Sequence, residues 1–212
     1  MNIADQRREY AQSGLNRQDL AANPLAQFDQ WLQQALSSDY PDATAMVLST
    51  VSAEGKPSSR TVLLKGLDEE GFTFYTNYHS AKGQDIEKNK HVTLLFPWLQ
   101  FERQVRINGT ISKVSAELSA EYFESRPWGS QRGAWASDQS EIVPSRKYLD
   151  DRLKEFENKF QNKEIHRPPH WGGYIVKPEA IEFWQGRPNR MHDRIIFTLQ
   201  ENFDWKIDRL AP

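Results

Sequence analysis

Hydrophobic positions change period along the chain. Residues 1–22 carry no hydrophobic period and read as an arm. Asn23 can then cap a helix with Pro24 at its first position, and Leu25, Phe28, Leu32 and Leu36 recur on one helical face. From Thr44 the pattern becomes that of strands. β-Branched and aromatic runs at 44–51, 58–65 and 72–77 are separated by Ala53-Glu54-Gly55-Lys56-Pro57 and Asp68-Glu69-Glu70-Gly71, connections too short to hold a crossover helix. A short helix at 80–89 and strands at 91–96 and 101–112 follow. Ser115 caps a helix through Ser125. Ser145 begins another, with Leu149, Leu153, Phe156 and Phe160 on one face and the pairs Asp150/Lys154 and Glu155/Lys159 on the other. Strands return at 173–177, 180–185, 194–200 and 203–210. This order predicts a mainly antiparallel β protein with helices (α+β): one domain over 23–212, a Greek-key or meander barrel with a helical insertion at about 115–160.

Composition narrows the class. The 212 residues include seven Trp, seven Tyr and eleven Phe, large apolar side chains that can offset the entropy of ordering a chain only 38% hydrophobic. So lean a chain gains by pairing with itself. There is no Cys, hence no disulfide, thiolate nucleophile or cysteinyl flavin. Residues 1–16 lack an apolar stretch, and the longest apolar run, 92–99, is interrupted by Pro97, so a soluble cytoplasmic protein is expected. A net charge of −2 without a Lys/Arg block argues against a nucleic-acid partner. No G-x-G-x-x-G, Walker A or G-x-S-x-G motif is present.

Three segments are richer in polar and aromatic side chains than packing requires. In Arg60-Thr61-Val62-Leu63-Leu64-Lys65 two cations bracket an apolar strand, and their odd spacing puts them on opposite faces unless a bulge intervenes; solvated strand ends are the plain alternative. The stretch from Ser125 to Ser140, read as a helix end and loop, mixes Arg126, Ser130, Arg132, Gln139 and Ser140 in a way that suits an oxyanion, though polar loops favour the same residues. In the third, Arg190, His192 and Arg194 alternate. Extended, they share one side with Asp193 turned away, and the two cations would favour a neutral imidazole. His166 and His170 flank Pro168-Pro169, which denies them a helix, and no metal site is expected.

At these segments the chain resembles the pyridoxine/pyridoxamine 5′-phosphate oxidases. The likeness runs through Arg7-Arg8-Glu9-Tyr10, the Arg60 to Lys65 run, Leu94-Leu95-Phe96-Pro97-Trp98, Glu102-Arg103-Gln104-Val105, Ser125-Arg126-Pro127, Gln139-Ser140, Trp171-Gly172-Gly173, Phe183-Trp184-Gln185-Gly186, Arg190 to Arg194 and Arg209-Leu210-Ala211-Pro212. The resemblance implies an FMN-binding split β-barrel working as a homodimer, with each flavin site built from both subunits. It implies oxidation of pyridoxamine or pyridoxine 5′-phosphate to pyridoxal 5′-phosphate by hydride transfer from C4′ to flavin N5. Dioxygen then yields hydrogen peroxide, and the amine also releases ammonia.

Carried over residue by residue, the resemblance assigns Arg60, Thr61, Val62, Leu63, Leu64, Lys65, Tyr75, Thr76 and Lys82 to the FMN phosphate and ribityl chain. It assigns Gln104 to the isoalloxazine edge, and Gln139, Ser140, Trp184 and Arg194 to the rest of the flavin site. Lys65, Tyr122, Arg126 and Ser130 match the substrate-phosphate positions. Arg190 and His192 match the catalytic pair over the pyridine ring, and Arg7 and Tyr10 match an N-terminal lid. Two departures stand out. Ser80-Ala81-Lys82 lacks the arginine common after the serine, and Arg187-Pro188-Asn189 differs from the usual linker. A non-catalytic flavin-binding module would have no reason to keep Tyr122, Arg126, Ser130, Arg190 and His192 together, and a flavin or deazaflavin reductase would need a different second pocket.

Overall fold

The computed structural model describes residues 9–10, 14–161 and 163–212; Arg7 lies outside them. Nine strands form one antiparallel sheet: β1 Ala45–Val51, β2 Pro57–Leu63, β3 Gly66–Asp68, β4 Gly71–Asn77, β5 His91–Trp98, β6 Arg103–Lys113, β7 Trp171–Gln185, β8 Asp193–Leu199 and β9 Trp205–Arg209. Their order is β2-β1-β5-β6-β7-β4-β3, with β8 on β7 and β9 on β8. The sheet curls until β2 touches β4. Five helices accompany it: α1 Pro24–Leu36, α2 Ala81–Lys88, α3 Ala116–Glu124, α4 Trp128–Ala136 and α5 Arg146–Lys159. Among the described residues no helix is long and apolar enough to cross a membrane.

The strand β7 organises the sheet. It runs the length of β6, while its first half pairs β4 and its second half pairs β8. The sequence pattern predicts two strands here, split before Ala180. The chain instead stays extended, because the register shift at Asn108/Gly109 absorbs the irregularity opposite Pro178, whose ring nitrogen has no hydrogen to donate. Gly109 is required there: a Cβ would lie 2.1 Å from the Lys177 carbonyl oxygen.

Helix α1 closes the core. Asn23 accepts from the Leu25 amide, with Pro24 at the first turn. Phe28 sits at the centre, its ring centroid 4.9 Å from Phe72, 4.8 Å from Phe96 and 5.5 Å from Trp98. The buried face is Phe28, Trp31, Leu32 and Ala35, so the expected stripe is rotated and Leu36 is left half exposed. A smaller cluster of Phe123, Ile165 and Trp171, flanked by Tyr75, Tyr122 and Trp135, joins the helical insertion to the sheet.

Two further expectations need correction. The segment from Ser125 to Ser140 is not merely a helix end and loop, because Pro127 starts α4. Its glycines and serine hide the helical period, and the Gln131 amide ties it to α3 by donating to the carbonyls of Glu124 and Arg126. On α5 the ion pairs are Arg146–Asp150, Lys147–Asp151 and Arg152–Glu155, not the Asp150–Lys154 and Glu155–Lys159 pairs expected from the sequence.

Because Phe28 is fully buried among three large rings, Phe28→Ala should cost about 3–5 kcal/mol through lost transfer energy and the residual cavity. Denaturant unfolding would show this as a lower midpoint; a loss under about 1 kcal/mol would mean that the ring cluster repacks.

Candidate functional site

A pocket of about 660 Å³ opens between β2, β4 and the helical insertion. The odd spacing of Arg60 and Lys65 is resolved by a break in the strand. Strand β2 ends at Leu63, the buried Leu64 donates its amide to the Thr44 carbonyl, and Lys65 donates its own to the Thr73 carbonyl. Arg60, Thr61, Val62, Leu63 and Lys65 thereby line one pocket, whereas the Leu64 side chain belongs to the core.

Two cations form the inner wall. Arg60 donates through Nη1 to Thr50 Oγ1 at 2.7 Å and the Leu48 carbonyl at 3.2 Å, and through Nη2 to Ser58 Oγ at 2.7 Å. Asp85 stands 3.9 Å away, and Thr50 donates to it at 2.7 Å. Lys82 is 8% exposed, with Nζ 3.2 Å from Ser80 Oγ, 3.3 Å from Thr76 Oγ1 and 3.4 Å from Gln139 Oε1. Desolvation pushes the pKa of both cations down; the Arg60 charge lowers that of Lys82 further, while Asp85 partly opposes the shift on Arg60. Among the described residues no carboxylate forms an ion pair with Lys82.

Aromatic rings form the outer wall. Tyr75 stacks on Tyr122 at 3.8 Å and on Trp171 at 5.6 Å, and desolvation raises the pKa of both phenols. The Arg126 guanidinium lies 4.4 Å from the Trp171 ring centroid, its pKa lowered by burial. Its Nη1 is buried without a hydrogen-bond partner. Ser130 and Gly133 of α4 line the same space, and no atom lies within 4 Å of a Cβ built on Gly133. Desolvated cations, of which only Arg60 faces a carboxylate, stand beside hydroxyls and aromatic faces, a donor set that suits a phosphate-bearing aromatic ligand.

The remaining sequence candidates lie elsewhere on the chain. Gln104 pairs with Trp184 across β6 and β7, and both line a separate cleft of about 70 Å³ with Leu95, Arg106 and Glu182. Arg194 donates through Nε to Glu182 at 2.7 Å and through Nη1 to the Ala211 carbonyl at 2.7 Å. Arg106 binds the other oxygen of the same buried carboxylate. Tyr10 packs edge-on against Trp184 at 5.6 Å and His192 at 5.4 Å. Tyr75 pairs with Gly173 and Gln104 with Trp184, so eleven steps of β7 separate the groups, roughly 35 Å along the strand.

The expected alternation of Arg190, His192 and Arg194 does not form. Arg190 ends a short 3-10 turn, Pro188–Arg190, with φ +61° and an exposed side chain, and β8 begins only at Asp193. The left-handed turn at Asn189 and Arg190 breaks the extended period. Asp193 is engaged as well, accepting from the Leu15 amide and pairing with Arg187 and Arg209. His192 Nδ1 accepts from the Arg187 amide at 3.1 Å, which requires that nitrogen to be unprotonated. Ser140, in left-handed conformation at φ +78°, does not line the pocket beside Gln139.

Sequence reasoning missed Asn77, Ser137 and Trp171 in the pocket wall, and the Asp85 and Glu182 carboxylates that steady the arginines. Asp85 lies on α2 and Glu182 on β7, and nothing in their local sequence marked either as an arginine partner. Among the described residues no group of three or more His, Cys, Asp or Glu side chains could hold a metal.

Residues 32–160 match the family model described as Pyridoxamine 5′-phosphate oxidase, and residues 171–212 match that of the Pyridoxine 5′-phosphate oxidase C-terminal dimerisation region. The chain is 55% identical over 214 residues to a pyridoxine/pyridoxamine 5′-phosphate oxidase of Crocosphaera subtropica, with all of both chains covered. To that of Cupriavidus necator it is 52% identical over 210 residues, 99% of each. Among solved structures, PhzG from Burkholderia lata in complex with tetrahydrophenazine-1-carboxylic acid superposes with a TM-score of 0.87 at 26% identity, covering 93% of this chain and 98% of the other. A pyridoxamine 5′-phosphate oxidase-related, FMN binding protein from Nostoc punctiforme shares the fold, with a TM-score of 0.71 at 16% identity over 91% of this chain and all of the other. With the family model spanning most of the chain and relatives above half identity along its full length, the protein belongs to the pyridoxine/pyridoxamine 5′-phosphate oxidase family of enzymes.

Proposed function

We propose that this chain oxidises pyridoxamine or pyridoxine 5′-phosphate to pyridoxal 5′-phosphate, using FMN and dioxygen, as a homodimer. The observation that carries the reading is the pocket in which Arg60, Lys82 and Arg126 are desolvated and Arg126 keeps an unpartnered donor. Two phosphates are the natural complement, one from the cofactor and one from the substrate. Bound FMN would supply a two-electron acceptor for the hydride of substrate C4′, with dioxygen taking up the electrons as hydrogen peroxide. The alcohol then gives the aldehyde directly; the amine consumes one water and releases ammonia.

The residues divide the work by position. Arg60 and Lys82, fixed by Thr50, Ser58, Ser80 and Thr76, would neutralise the cofactor phosphate, with Thr61, Val62, Leu63, Tyr75 and Gln139 along the ribityl chain. The backbone at Leu64 would serve only through the turn it makes. Lys65, Tyr122, Arg126 and Ser130 would hold the substrate phosphate and thereby orient C4′, since remote binding energy sets near-attack geometry. Gln104, Trp184 and Arg194 are too far along β7 to reach this pocket in the same chain, so a second copy would supply them, with Arg190 and His192. Ser140 would act through the turn that presents Gln139. Tyr10, already against Trp184 and His192, would cover the ring with Arg7. His192, with Nδ1 accepting from the Arg187 amide, would offer Nε2–H to a ring substituent. Arg190 would stabilise charge that builds on the pyridine ring.

The direct test incubates purified protein with pyridoxamine 5′-phosphate in air, following peroxide and the aldehyde, after acid precipitation of a parallel sample to identify the flavin. Equimolar peroxide and pyridoxal 5′-phosphate, with all flavin released as FMN, is the expected result. FMN without turnover would mark a non-catalytic flavin module. FAD, or turnover only with a nicotinamide or deazaflavin donor, would mark a different enzyme.

Ala81, the first residue of α2, is exposed beside the Ser80 cap, so an arginine there has room to reach the cofactor phosphate. Ala81→Arg should tighten FMN binding by about tenfold, one charge-assisted contact, while the rate at saturating FMN changes little. Titration of apoprotein checks this, and unchanged or weaker affinity would contradict it.

The shared site predicts complementation. Arg190→Ala should lower kcat/KM by about 10²-fold or more, with His192→Ala costing less, and Lys82→Ala should lose FMN. Co-expressed Arg190→Ala and Lys82→Ala chains should regain about a quarter of wild-type activity, because half the dimers are mixed and each mixed dimer has one intact site. No recovery on mixing would place Arg190 and Lys82 in the same chain's site.

A further inference from the structure

We propose that Trp171 is a positioning residue for the substrate phosphate, its indole face holding the Arg126 guanidinium with its donors free toward the pocket. This rests on the functional reading above, in which the anion received by Arg126 is the substrate phosphate. Arg126 is desolvated, yet among the described residues no carboxylate pairs with it. A buried cation needs some compensation. Here the compensation comes from aromatic faces, Trp171 at 4.4 Å and Phe123 at 5.7 Å from Cζ. A π face attracts the guanidinium without occupying its N–H donors, whereas a carboxylate would occupy them and compete with phosphate. The buried, unpartnered Nη1 is the visible consequence.

Trp171 is itself held by backbone bonds and by neighbouring rings. It opens β7 opposite Asn77, its amide donates to the Pro168 carbonyl at 3.1 Å, and its carbonyl accepts from Arg167 Nη1 at 2.5 Å. Phe123 meets the ring edge-on at 5.3 Å, and Tyr75 lies nearly parallel to it, 11° away.

The test uses the FMN-loaded enzyme, in which inorganic phosphate probes the substrate-phosphate position. Trp171→Leu removes the π face, and Trp171→Phe keeps a smaller one. For Trp171→Leu, the dissociation constant of inorganic phosphate and the KM for pyridoxamine 5′-phosphate should each rise about tenfold, with kcat falling no more than about twofold. Trp171→Phe should shift both by about two- to threefold. In an Arg126→Ala background neither substitution should add a further shift, because Trp171 acts through Arg126. Unchanged phosphate binding in Trp171→Leu, or an equal shift with and without Arg126, would overturn the proposal. Should Trp171→Leu not fold, the Trp171→Phe shift and its disappearance in Arg126→Ala decide the matter alone. If the wild type fails to oxidise pyridoxamine 5′-phosphate while the Trp171–Arg126 coupling in phosphate binding persists, the substrate reading falls and the positioning role stands.

Discussion

The length and double pairing of β7 set the terms for everything else in this molecule. A strand of fifteen residues that pairs β4 at one end and β8 at the other, while β6 runs alongside throughout, ties two distant regions into one rigid ladder. The register shift at Gly109 is where the strand exchanges partners, and the close approach of the Lys177 carbonyl leaves no space for a side chain there. Rigid spacing has a functional consequence. The cationic pocket beside β4 and the Gln104–Trp184 face beside β8 cannot approach each other by small adjustments, because any such motion would break ladder hydrogen bonds along the strand. In the dimer proposed above, association of two copies would bring such faces together without deforming either sheet. A two-fold axis would also present the same pair of surfaces twice.

The two regions differ in how they treat charge. Beside β8, Arg106 and Arg194 share the buried Glu182, and Arg187 and Arg209 share Asp193, so the cations there are matched within the chain. In the pocket, Arg60 has only the distant Asp85, and Lys82 and Arg126 are surrounded by hydroxyls, an amide and aromatic rings. A fold that leaves desolvated cations unmatched accepts a cost in stability, which an anionic ligand then offsets on binding. That asymmetry leaves the β4 side the more complementary to anions. The matched β8 side suits a neutral, planar part of a ligand.

Much of this architecture was legible because alternation and caps are local. Apart from the short β3, which was not expected, and β7, the strands and the caps at Asn23, Ser80, Ser115 and Ser145 fall within about two residues of their expected places. The errors occur where tertiary contacts override a local signal. Helix α4 hides behind Gly129, Ser130 and Gly133, and the small side chains of Ser130 and Gly133 are explained by the pocket they line. Pro178 suggested a strand end, but β7 takes up one extra residue, Glu179, between the partners of Asn108 and Gly109 and runs on. Arg190 and His192 kept their residue types in a pattern that implied a strand, but the turn at Pro188-Asn189-Arg190 could not be read without its left-handed backbone. For the candidate site, side-chain chemistry singled out segments that the fold places at two ends of β7, and that division depends on register that no single segment carries.

Arg60 and Lys65 illustrate how that register acts at the scale of one loop. On an unbroken strand they would face opposite ways, and one would point into the core against Met46 or Leu48. The buried Leu64 prevents this. Its side chain takes the core position, its amide bonds to Thr44, and the next amide bonds to Thr73, so the chain shifts from the edge of β1 to that of β4 within two residues. The same step that closes the curl of the sheet at β2 and β4 therefore turns both cations toward one cavity. Facing both cations to one cavity and closing the curl of the sheet are here a single structural event, and a substitution at Leu64 that weakened the core would loosen both cations together.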